Sequence, residues 1–372
     1  MSSAFVFEVG LALCLQISIV VLGTIALQRL TNSTRMQCRL WTMCFVAILG
    51  LTAVALLLPH RRILAFPSIS GAATVRIMTW QAWIVTGLVI SWLSGTVVSL
   101  ARRGIRYWVL LKFFDLNCQT LSSGQLDSLP LDVEGADKRF IMGNRQLRHL
   151  QIMACDRIAG PFCWQLHRPV IVLPQQLLKE DTASLRHVLL HELEHLRTQH
   201  PMQLFLQGTC STIFWFHPLV WWAAQRAELT REFLCDEVAA LEGGSVSGYL
   251  RTVVKIAEGC RSSSCSAPEV GTLGFGNRES ALVRRSNRLV KLASEATYVN
   301  PFRSMMAFST MIAIIIAVNF LWLPVNAAAS TRSEWSPWPS WSAKVLHDVG
   351  FSARDFELFD ERSQLGQELH DD

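Results

Sequence analysis

Four long apolar segments constrain this 372-residue chain more than any other feature of its sequence. A helix needs about 20 apolar residues to cross a bilayer, because every backbone polar group must be satisfied within the chain. Four segments meet this requirement: residues 5–27, 40–58, 77–100 and 305–325. Charged residues make up only 17% of the chain, below the quarter that is usual in soluble proteins. The sequence therefore predicts an α-helical membrane protein with four transmembrane helices.

The positions of Lys and Arg predict the orientation of these helices. Basic residues cluster after the first and third segments, whereas the tail, residues 326–372, carries four basic and nine acidic residues. Since basic residues favour the cytoplasmic side, we expect the N-terminus and this acidic, Trp-rich tail outside, and residues 101–304 in the cytoplasm. The first segment lacks a basic region before it, so we expect a retained anchor rather than a signal peptide.

A metal-binding motif lies in residues 183–197, which are predicted to form a helix because apolar residues recur there at helical spacing. His191 and His195 are four residues apart, so both imidazoles lie on one face and can bind the same cation. Glu192 lies beside that face, as the general base does in the H-E-x-x-H motif of zinc metallopeptidases. We therefore predict one Zn²⁺, with His191 and His195 as ligands and Glu192 as the catalytic base.

A catalytic zinc site needs a third protein ligand, because three ligands leave the fourth position for water. Candidate carboxylates lie in a second predicted helix, residues 223–241, at Glu228, Glu232 and Glu237. Glu232 and Asp236 form an E-x-x-x-D pair, which places both on one helical face. In this arrangement Glu232 binds the metal, and Asp236 accepts a hydrogen bond from the ring of a ligand histidine.

A fifth apolar stretch, residues 204–222, is also long enough to cross the bilayer. A single crossing would place Glu232 about 30 Å from the two histidines, on the other side of the membrane. We therefore expect this stretch to pack within the domain, or to enter the membrane and return, with Pro218 as the break.

Shorter features add to these predictions. Residues 151–155 and 170–173 are expected to be strands, either a plain core sheet or an edge to which a substrate adds as a further strand. The stretch 281–292 predicts a basic helix near the inner membrane face. The ten cysteines include no C-x-x-C pair, so we expect reduced thiols. The net charge of +5 gives no indication of direct nucleic-acid binding.

Several of these segments together resemble the BlaR/MecR-type membrane zinc metallopeptidases, which are bacterial signal-transducing antirepressors. The matching runs are His191–His195, Phe214–Trp221, Arg231-Glu232, Cys235-Asp236-Glu237, and Gly160-Pro161-Phe162 with Arg168–Pro174. The resemblance covers about residues 1–325, and the order of elements is similar: three spans, a cytoplasmic zinc domain and a fourth span.

The resemblance implies an α+β domain of the gluzincin type, inserted between the third and fourth spans of a multi-pass protein in the bacterial inner membrane. It implies roles for the matching residues: zinc ligands His191, His195 and Glu232, general base Glu192, and Asp236 beside a ligand histidine. His217 lies within one of the matching runs, so a place near the site is one expectation for it. An oligomer is compatible with the resemblance.

Two further expectations concern regulation. The best-known members of the resembling family carry a large penicillin-binding sensor domain after the last span, whereas 47 residues follow position 325 here, so no expectation of β-lactam sensing is carried over. In that family a loop near the Ser- and Gly-rich segment 259–280 can be a self-cleavage site. We hypothesise cleavage within residues 265–285, with an inert linker as the alternative.

Three functions stay open at this point. The first is a regulated signalling endopeptidase that cleaves a cytoplasmic protein, for which a winged-helix transcriptional repressor is a candidate. The second is a housekeeping membrane protease similar to the CAAX prenyl endopeptidases, which also combine H-E-x-x-H with E-x-x-x-D. The third is an inactive receptor or scaffold. The intact Glu192 argues against the third, because a protein that only binds has no need of the base.

Overall fold

The computed structural model describes residues 3–59, 72–130, 150–165, 168–262, 279–294, 301–320 and 340–351. The helices of these residues are α1 (Ser3–Leu30), α2 (Thr34–Leu57), α3 (Ala72–Asn117), α4 (Ser123–Asp127), α5 (Thr182–Arg197), α6 (His200–Ile213), α7 (Pro218–Glu242), α8 (Val246–Ser262), α9 (Glu279–Ser294), α10 (Pro301–Asn319) and α11 (Ser340–Asp348). The strands are β1 (Cys118–Thr120), β2 (Gln151–Cys155), β3 (Phe162–Trp164) and β4 (Val170–Pro174), and a 3₁₀ turn covers Leu177–Lys179.

Four helices are long and apolar enough to cross a membrane, and they coincide with the four apolar segments. Their candidate spans are Val9–Leu30, Thr34–Leu57, Trp83–Asn117 and Pro301–Asn319. The helix α3 continues past residue 100, because Tyr107, Leu110 and Phe114 repeat at helical spacing and pack on the sheet. Aromatic contacts join the two elements, with ring centroids 5.7 Å apart for Tyr107 and Trp164. This extension connects the span directly to β1.

The four strands form one small mixed sheet in the order β1-β2-β4-β3. The inner strands β2 and β4 are parallel, and the outer strands β1 and β3 pair antiparallel to them. Both strands that the sequence predicts are present. The hypothesis that a substrate adds beside them is wrong, however, because β2 and β4 each have a neighbour on both sides. Among the described residues the free edges belong to β1 and β3.

One face of this sheet covers the helix α5. Leu185, Val188 and Leu189 of the helix are buried against the β4 residues Ile171 and Leu173. Burying such side chains stabilises the contact by about 1.5–3 kcal/mol each. Asp181 caps the N-terminus of α5, because its Oδ2 accepts a hydrogen bond of 2.9 Å from the Ser184 N–H. The position and start of α5 are therefore determined by the sheet and by this cap.

The apolar stretch 204–222 is divided between two helices, as the sequence argument requires. The helix α6 ends at Ile213, and Pro218 begins α7 after a short turn. The turn contacts α3, where the Trp92 Nε1–H donates a 2.8 Å hydrogen bond to the Ile213 carbonyl oxygen. Gly95 makes this approach feasible, because a Cβ there would collide with the Trp215 indole ring. The stretch therefore forms a hairpin that reaches between the spans and returns.

The returning helix α7 runs antiparallel to α2. The Cys38 thiol donates to the Thr230 carbonyl oxygen over 3.5 Å, and the Thr34 hydroxyl donates to Glu237 Oε1 over 2.7 Å. The second half of α7 therefore lies at the N-terminal end of α2. At the other end of α2, the Trp341 Nε1–H of α11 donates a 2.7 Å hydrogen bond to the Leu56 carbonyl oxygen.

Candidate metal centre

Three side chains from two helices place ligand atoms around one point. His191 and His195 lie on successive turns of α5, and their Nε2 atoms are 3.1 Å apart. Glu232 of α7 brings Oε2 to 3.7 Å from His191 Nε2 and Oε1 to 3.5 Å from His195 Nε2. A tetrahedral zinc ion with bonds of about 2.0–2.1 Å separates its ligand atoms by about 3.3 Å. The three spacings are close to that value, so these residues could hold one such ion.

The polar atoms of the site also fit a bound cation. Glu232 Oε1 is buried and has no hydrogen-bond donor among the described residues, which is costly for a carboxylate unless a cation binds it. A second buried carboxylate, that of Asp236, lies in the same site, and both contact the guanidinium group of Arg285. The unpartnered Glu232 Oε1 is the oxygen that a divalent cation would bind.

Charged partners fix the orientation and the tautomer of His191. The Tyr249 hydroxyl lies 2.9 Å from His191 Nδ1 and donates a 2.7 Å hydrogen bond to Asp236 Oδ1. Because Asp236 can only accept, the Tyr249 proton goes to it, and the Tyr249 oxygen accepts the His191 Nδ1–H. With Nδ1 bonded in this way, Nε2 is the ring atom that a metal would bind, in place of the second proton of the ring. Burial lowers the pKa of His191, but the hydrogen bonds from its ring to Asp236 and Glu232 outweigh this and raise the pKa to about 9.

A neutral partner fixes His195 instead. Its Nδ1 lies 2.9 Å from His200 Nδ1, and its Nε2 faces Glu232. A metal bound to Nε2 would require the proton on His195 Nδ1, which then donates to His200. Burial, which outweighs the charge of Glu232, lowers the pKa of His195 to about 3. His200 then carries its proton on Nε2, and this buried atom has no hydrogen-bond partner among the described residues.

The carboxylate of Glu192 lies between α5 and the edge strand β3. Its side chain is fully buried, neither of its oxygens has a hydrogen-bond partner among the described residues, and the thiol of Cys163 on β3 lies close enough to affect its pKa. Burial, together with the charge of Glu232, raises the pKa of Glu192 to about 7, whereas the charge of His191 opposes the rise. A general base works best when its pKa is near the working pH, so the environment of Glu192 suits proton transfer.

Arg285 of α9 reaches into the same site. Its side chain is 5% exposed, its Nη1 lies 2.9 Å from Glu232 Oε2, and its Nε and Nη2 donate to the two Asp236 oxygens over 2.8 and 2.6 Å. Burial opposes ionisation of Glu232, but the Arg285 charge and the two histidines keep its pKa well below the ordinary value. Residues 281–292 lie within α9, as the sequence predicts, but the Arg285 side chain is buried in the site rather than exposed.

A second group of potential ligands adjoins the first and shares His195 with it. It consists of His195, His200 and Cys235, all of which are buried. Zinc binds the thiolate form of cysteine. Burial, reinforced by the nearby carboxylates, raises the pKa of Cys235 well above its ordinary value, so the thiolate is disfavoured. The His195 atom that faces this group is also the one that donates to His200. We therefore favour the group that contains Glu232.

Other candidates from the sequence lie elsewhere. His217 caps the turn of the hairpin, and its Nε2 is 3.3 Å from the Cys14 carbonyl oxygen in α1. It is about 22 Å along α7 from Glu232, so the structure does not bring it to the site. Glu237 accepts hydrogen bonds from Thr34 and Arg288. Of the hypothesised cleavage segment, residues 265–278 lie outside the described residues, and 279–285 form the start of α9.

Three residues of the site were missed by sequence reasoning: Tyr249, Arg285 and His200. A signal existed for Arg285, because Leu282 and Leu289 lie three and four residues away and place the arginine on the apolar face of its helix. A charge on such a face needs a buried partner. Tyr249 similarly lies on an apolar helical face. No spacing in the sequence distinguishes His200 from the other histidines.

Comparisons with known proteins identify the family of this chain. One sequence segment of 79 residues is 30% identical to the regulatory protein BlaR1 of Bacillus licheniformis. This segment is 21% of the present chain and 13% of that relative. The chain therefore matches only a small part of the relative's length. The family model described as BlaR1 peptidase M56 matches residues 4–286, which include the spans α1 to α3, the two histidines, Glu232 and Arg285. On this match the chain belongs to the M56 family of BlaR1-type peptidases.

Proposed function

We propose that the protein is an integral-membrane zinc endopeptidase that acts as a regulatory, signal-transducing protease. The observation that carries this proposal is the convergence of His191, His195 and Glu232 on one point, with the buried carboxylate of Glu192 on the adjacent position of α5. Membership of the M56 family supports the peptidase function. The four apolar helices support a location in the membrane.

The proposed reaction is hydrolysis of a peptide bond. When bound, zinc supplies Lewis-acid polarisation of a water molecule and of the scissile carbonyl group. Glu192 takes a proton from the attacking water and returns it to the leaving amine, a role that its pKa of about 7 favours. Tyr249 and Asp236 keep the His191 proton on Nδ1, and His200 keeps the His195 proton on Nδ1, so both Nε2 atoms stay available as ligands.

We propose that the substrate is an extended segment of a cytoplasmic protein that adds to the sheet beside β3. Among the residues that the structure describes, this strand is the free edge next to α5, and its Cys163 side chain lies beside Glu192. The site lies at the N-terminal end of α2, where Thr34 contacts Glu237. If that end faces the cytoplasm, as the basic residues predict, the substrate reaches the site near the membrane surface. A winged-helix repressor is one candidate.

The proposal is tested by comparing the wild type with Glu192→Gln, His191→Ala and Glu232→Ala in purified, detergent-solubilised protein. Glu192→Gln should keep one equivalent of zinc and lose about 10²–10⁴-fold in cleavage rate. The other two variants should lose both zinc and cleavage. Substrates are found by labelling new protein N-termini in cells that express wild type or Glu192→Gln. Full cleavage by Glu192→Gln would mean that the base is assigned to the wrong residue.

The same cells test the self-cleavage hypothesis. Mass spectrometry of the wild-type chain should find an N-terminus within residues 265–285 that is missing from Glu192→Gln. Identical fragments from both would attribute the cut to another protease and leave this segment as a linker.

A further inference from the structure

A cavity that the proposed peptidase chemistry does not use lies between the spans α2 and α10 and the start of α6. Its volume is about 810 Å³, within the roughly 300–1,000 Å³ range of pockets that hold small organic ligands. Its apolar wall comes from two spans: Val46, Ala47, Leu51 and Val54 of α2, and Phe308 and Ile315 of α10.

Gly50 of α2 shows how open this space is. It lines the cavity, and a Cβ added to it would have no heavy atom within 4 Å. In a helix packed tightly on its neighbours, an added Cβ would contact other side chains, as it does at Gly23 of α1, where Ile314 lies 3.0 Å away. The gap beside Gly50 therefore has room for an apolar chain that is not part of the protein.

Positive charge is concentrated at one end of the cavity. Arg35, Arg39 and Arg197 line it there, at the N-terminal end of α2 and the C-terminal end of α5. The carboxylate of Glu194 lies 3.5 Å from the guanidinium groups of both Arg35 and Arg197. Arg39 has no ion-pair partner within the described part of the chain. The guanidinium group of Arg39, beside those of Arg35 and Arg197, favours an anionic ligand group at this end.

His200 provides a second observation that points to a ligand. It lines the cavity, it is fully buried, and its Nε2 lacks a hydrogen-bond acceptor in the residues that the structure describes. Its Nδ1 lies 2.9 Å from His195 Nδ1 and 3.5 Å from the Cys235 thiol, so Nε2 is the ring atom left without a partner. A buried polar atom without a partner is costly, and a polar ligand group that reaches it would remove that cost.

We propose that this cavity binds one anionic phospholipid of the surrounding membrane. Its acyl chain lies between α2 and α10 beside Gly50, and its phosphate group lies at Arg35, Arg39 and Arg197. Basic pockets between membrane helices bind anionic lipid headgroups, and here the positive charge lies at one end of an apolar cavity. A phospholipid also supplies ester and phosphate oxygens that can accept from a buried N–H.

His200 connects this cavity to the proposed metal centre. His200 Nδ1 is 2.9 Å from the Nδ1 of His195, so an acceptor that orients His200 also orients a proposed zinc ligand. Lipid occupancy is therefore expected to raise zinc affinity. This coupling, unlike lipid binding itself, rests on the proposed function.

The lipid site is tested by native mass spectrometry of the full-length, zinc-free protein with added phosphatidylglycerol or phosphatidylcholine. The wild type should retain one phosphatidylglycerol and prefer it to phosphatidylcholine. Arg39→Gln should weaken retention of phosphatidylglycerol about fivefold, the effect of one arginine near a membrane surface. Gly50→Leu should abolish retention, because the side chain fills the space.

Two matched variants serve as controls. Arg29→Gln removes an exposed arginine at the end of α1, and Gly87→Leu adds the same side chain at an open position of α3, and neither residue lines the cavity. Both should bind like the wild type. Equal retention of the two lipids, equal losses in the controls, or a lipid-free dimer that Gly50→Leu dissociates would overturn the proposal. Because zinc is absent from this assay, its outcome is independent of whether the protein is a peptidase.

Discussion

His191 and His195 lie one turn apart on α5, yet opposite kinds of partner hold their rings. The Nδ1 of His191 leads through Tyr249 to the ionised pair of Asp236 and Arg285, whereas that of His195 leads to the neutral ring of His200. The pKa of His191 is accordingly raised to about 9, whereas burial lowers that of His195 to about 3. From this comparison we expect His191, the histidine with the charged partner, to contribute more of the metal affinity, because an ionised partner makes an imidazole more basic.

Removal of the charge on the His191 side should have the largest effect. Asp236→Asn leaves the buried Arg285 guanidinium with Glu232 as its remaining carboxylate partner, and it weakens the partner of His191. We expect zinc affinity to fall about 10–100-fold and unfolding free energy to fall by about 3 kcal/mol. Chelator competition and thermal unfolding measure the two effects. The matched variant Glu237→Gln alters the neighbouring carboxylate outside the site and should keep wild-type zinc affinity.

Removal of the neutral partner on the His195 side should cost less. His200→Leu deprives the His195 N–H of its acceptor, and a neutral hydrogen bond contributes about 1 kcal/mol, or roughly fivefold in zinc affinity. His200→Gln offers an amide oxygen and should restore part of the loss. The same chelator competition applies. A larger loss from His200→Leu than from Asp236→Asn would reverse the comparison.

A still smaller effect on zinc affinity is expected when the Tyr249 hydroxyl, which lies between the His191 ring and the Asp236 carboxylate, is removed. In Tyr249→Phe, the Asp236 Oδ1 stays 3.3 Å from His191 Nδ1 and can accept its proton directly. We therefore expect zinc affinity to fall by about threefold, equivalent to about 0.5–1 kcal/mol. Isothermal titration of the apoprotein with zinc measures this. A loss as large as that of Asp236→Asn would mean that the tyrosine, rather than the charge, holds His191.

A change that alters the partners of neither His191 nor His195 should leave zinc affinity unchanged. Asp181→Ala removes the cap of α5, which should lower the unfolding free energy by about 1 kcal/mol. The hydrogen bond from the Ser184 N–H lowers the pKa of Asp181 from 3.8, so the stabilisation is present above that value and is lost as the pH falls through the folded-state pKa. Denaturant unfolding at pH 7 and below pH 4 should show the difference shrinking. If the difference in unfolding free energy between the wild type and Asp181→Ala is the same at both pH values, the ionised carboxylate of Asp181 is not what stabilises the helix.

The sequence predicts the parts of this molecule that depend on local pattern. Length and apolar content identify the four helices that could span a membrane, and the four-residue spacing of His191 and His195 identifies one face of α5. The return of the hairpin follows from a geometric requirement, because Glu232 cannot reach the histidines across a membrane. Pro218 begins α7 as that argument requires.

The remaining parts depend on contacts between distant segments. Strand order decides which edge is free, and the sequence cannot fix it, so an edge and a core sheet both stayed open for β2 and β4, which are inner strands. Arg285 lies 49 residues from Asp236 in the chain, beyond the reach of any local spacing rule. The family resemblance gave the expectation that His217 lies near the metal, whereas it packs in the turn of the hairpin. A shared motif alone does not distinguish a residue that packs in the hairpin from one that acts at the site.

The central claim is that His191, His195 and Glu232, and not the adjoining group with Cys235, bind the metal. X-ray absorption at the zinc K-edge on protein loaded with one equivalent of zinc tests it most directly. The account predicts a first shell of nitrogen and oxygen only, at about 2.0–2.1 Å, with imidazole scattering. A sulfur atom at about 2.3 Å would place the metal on Cys235 and contradict the account.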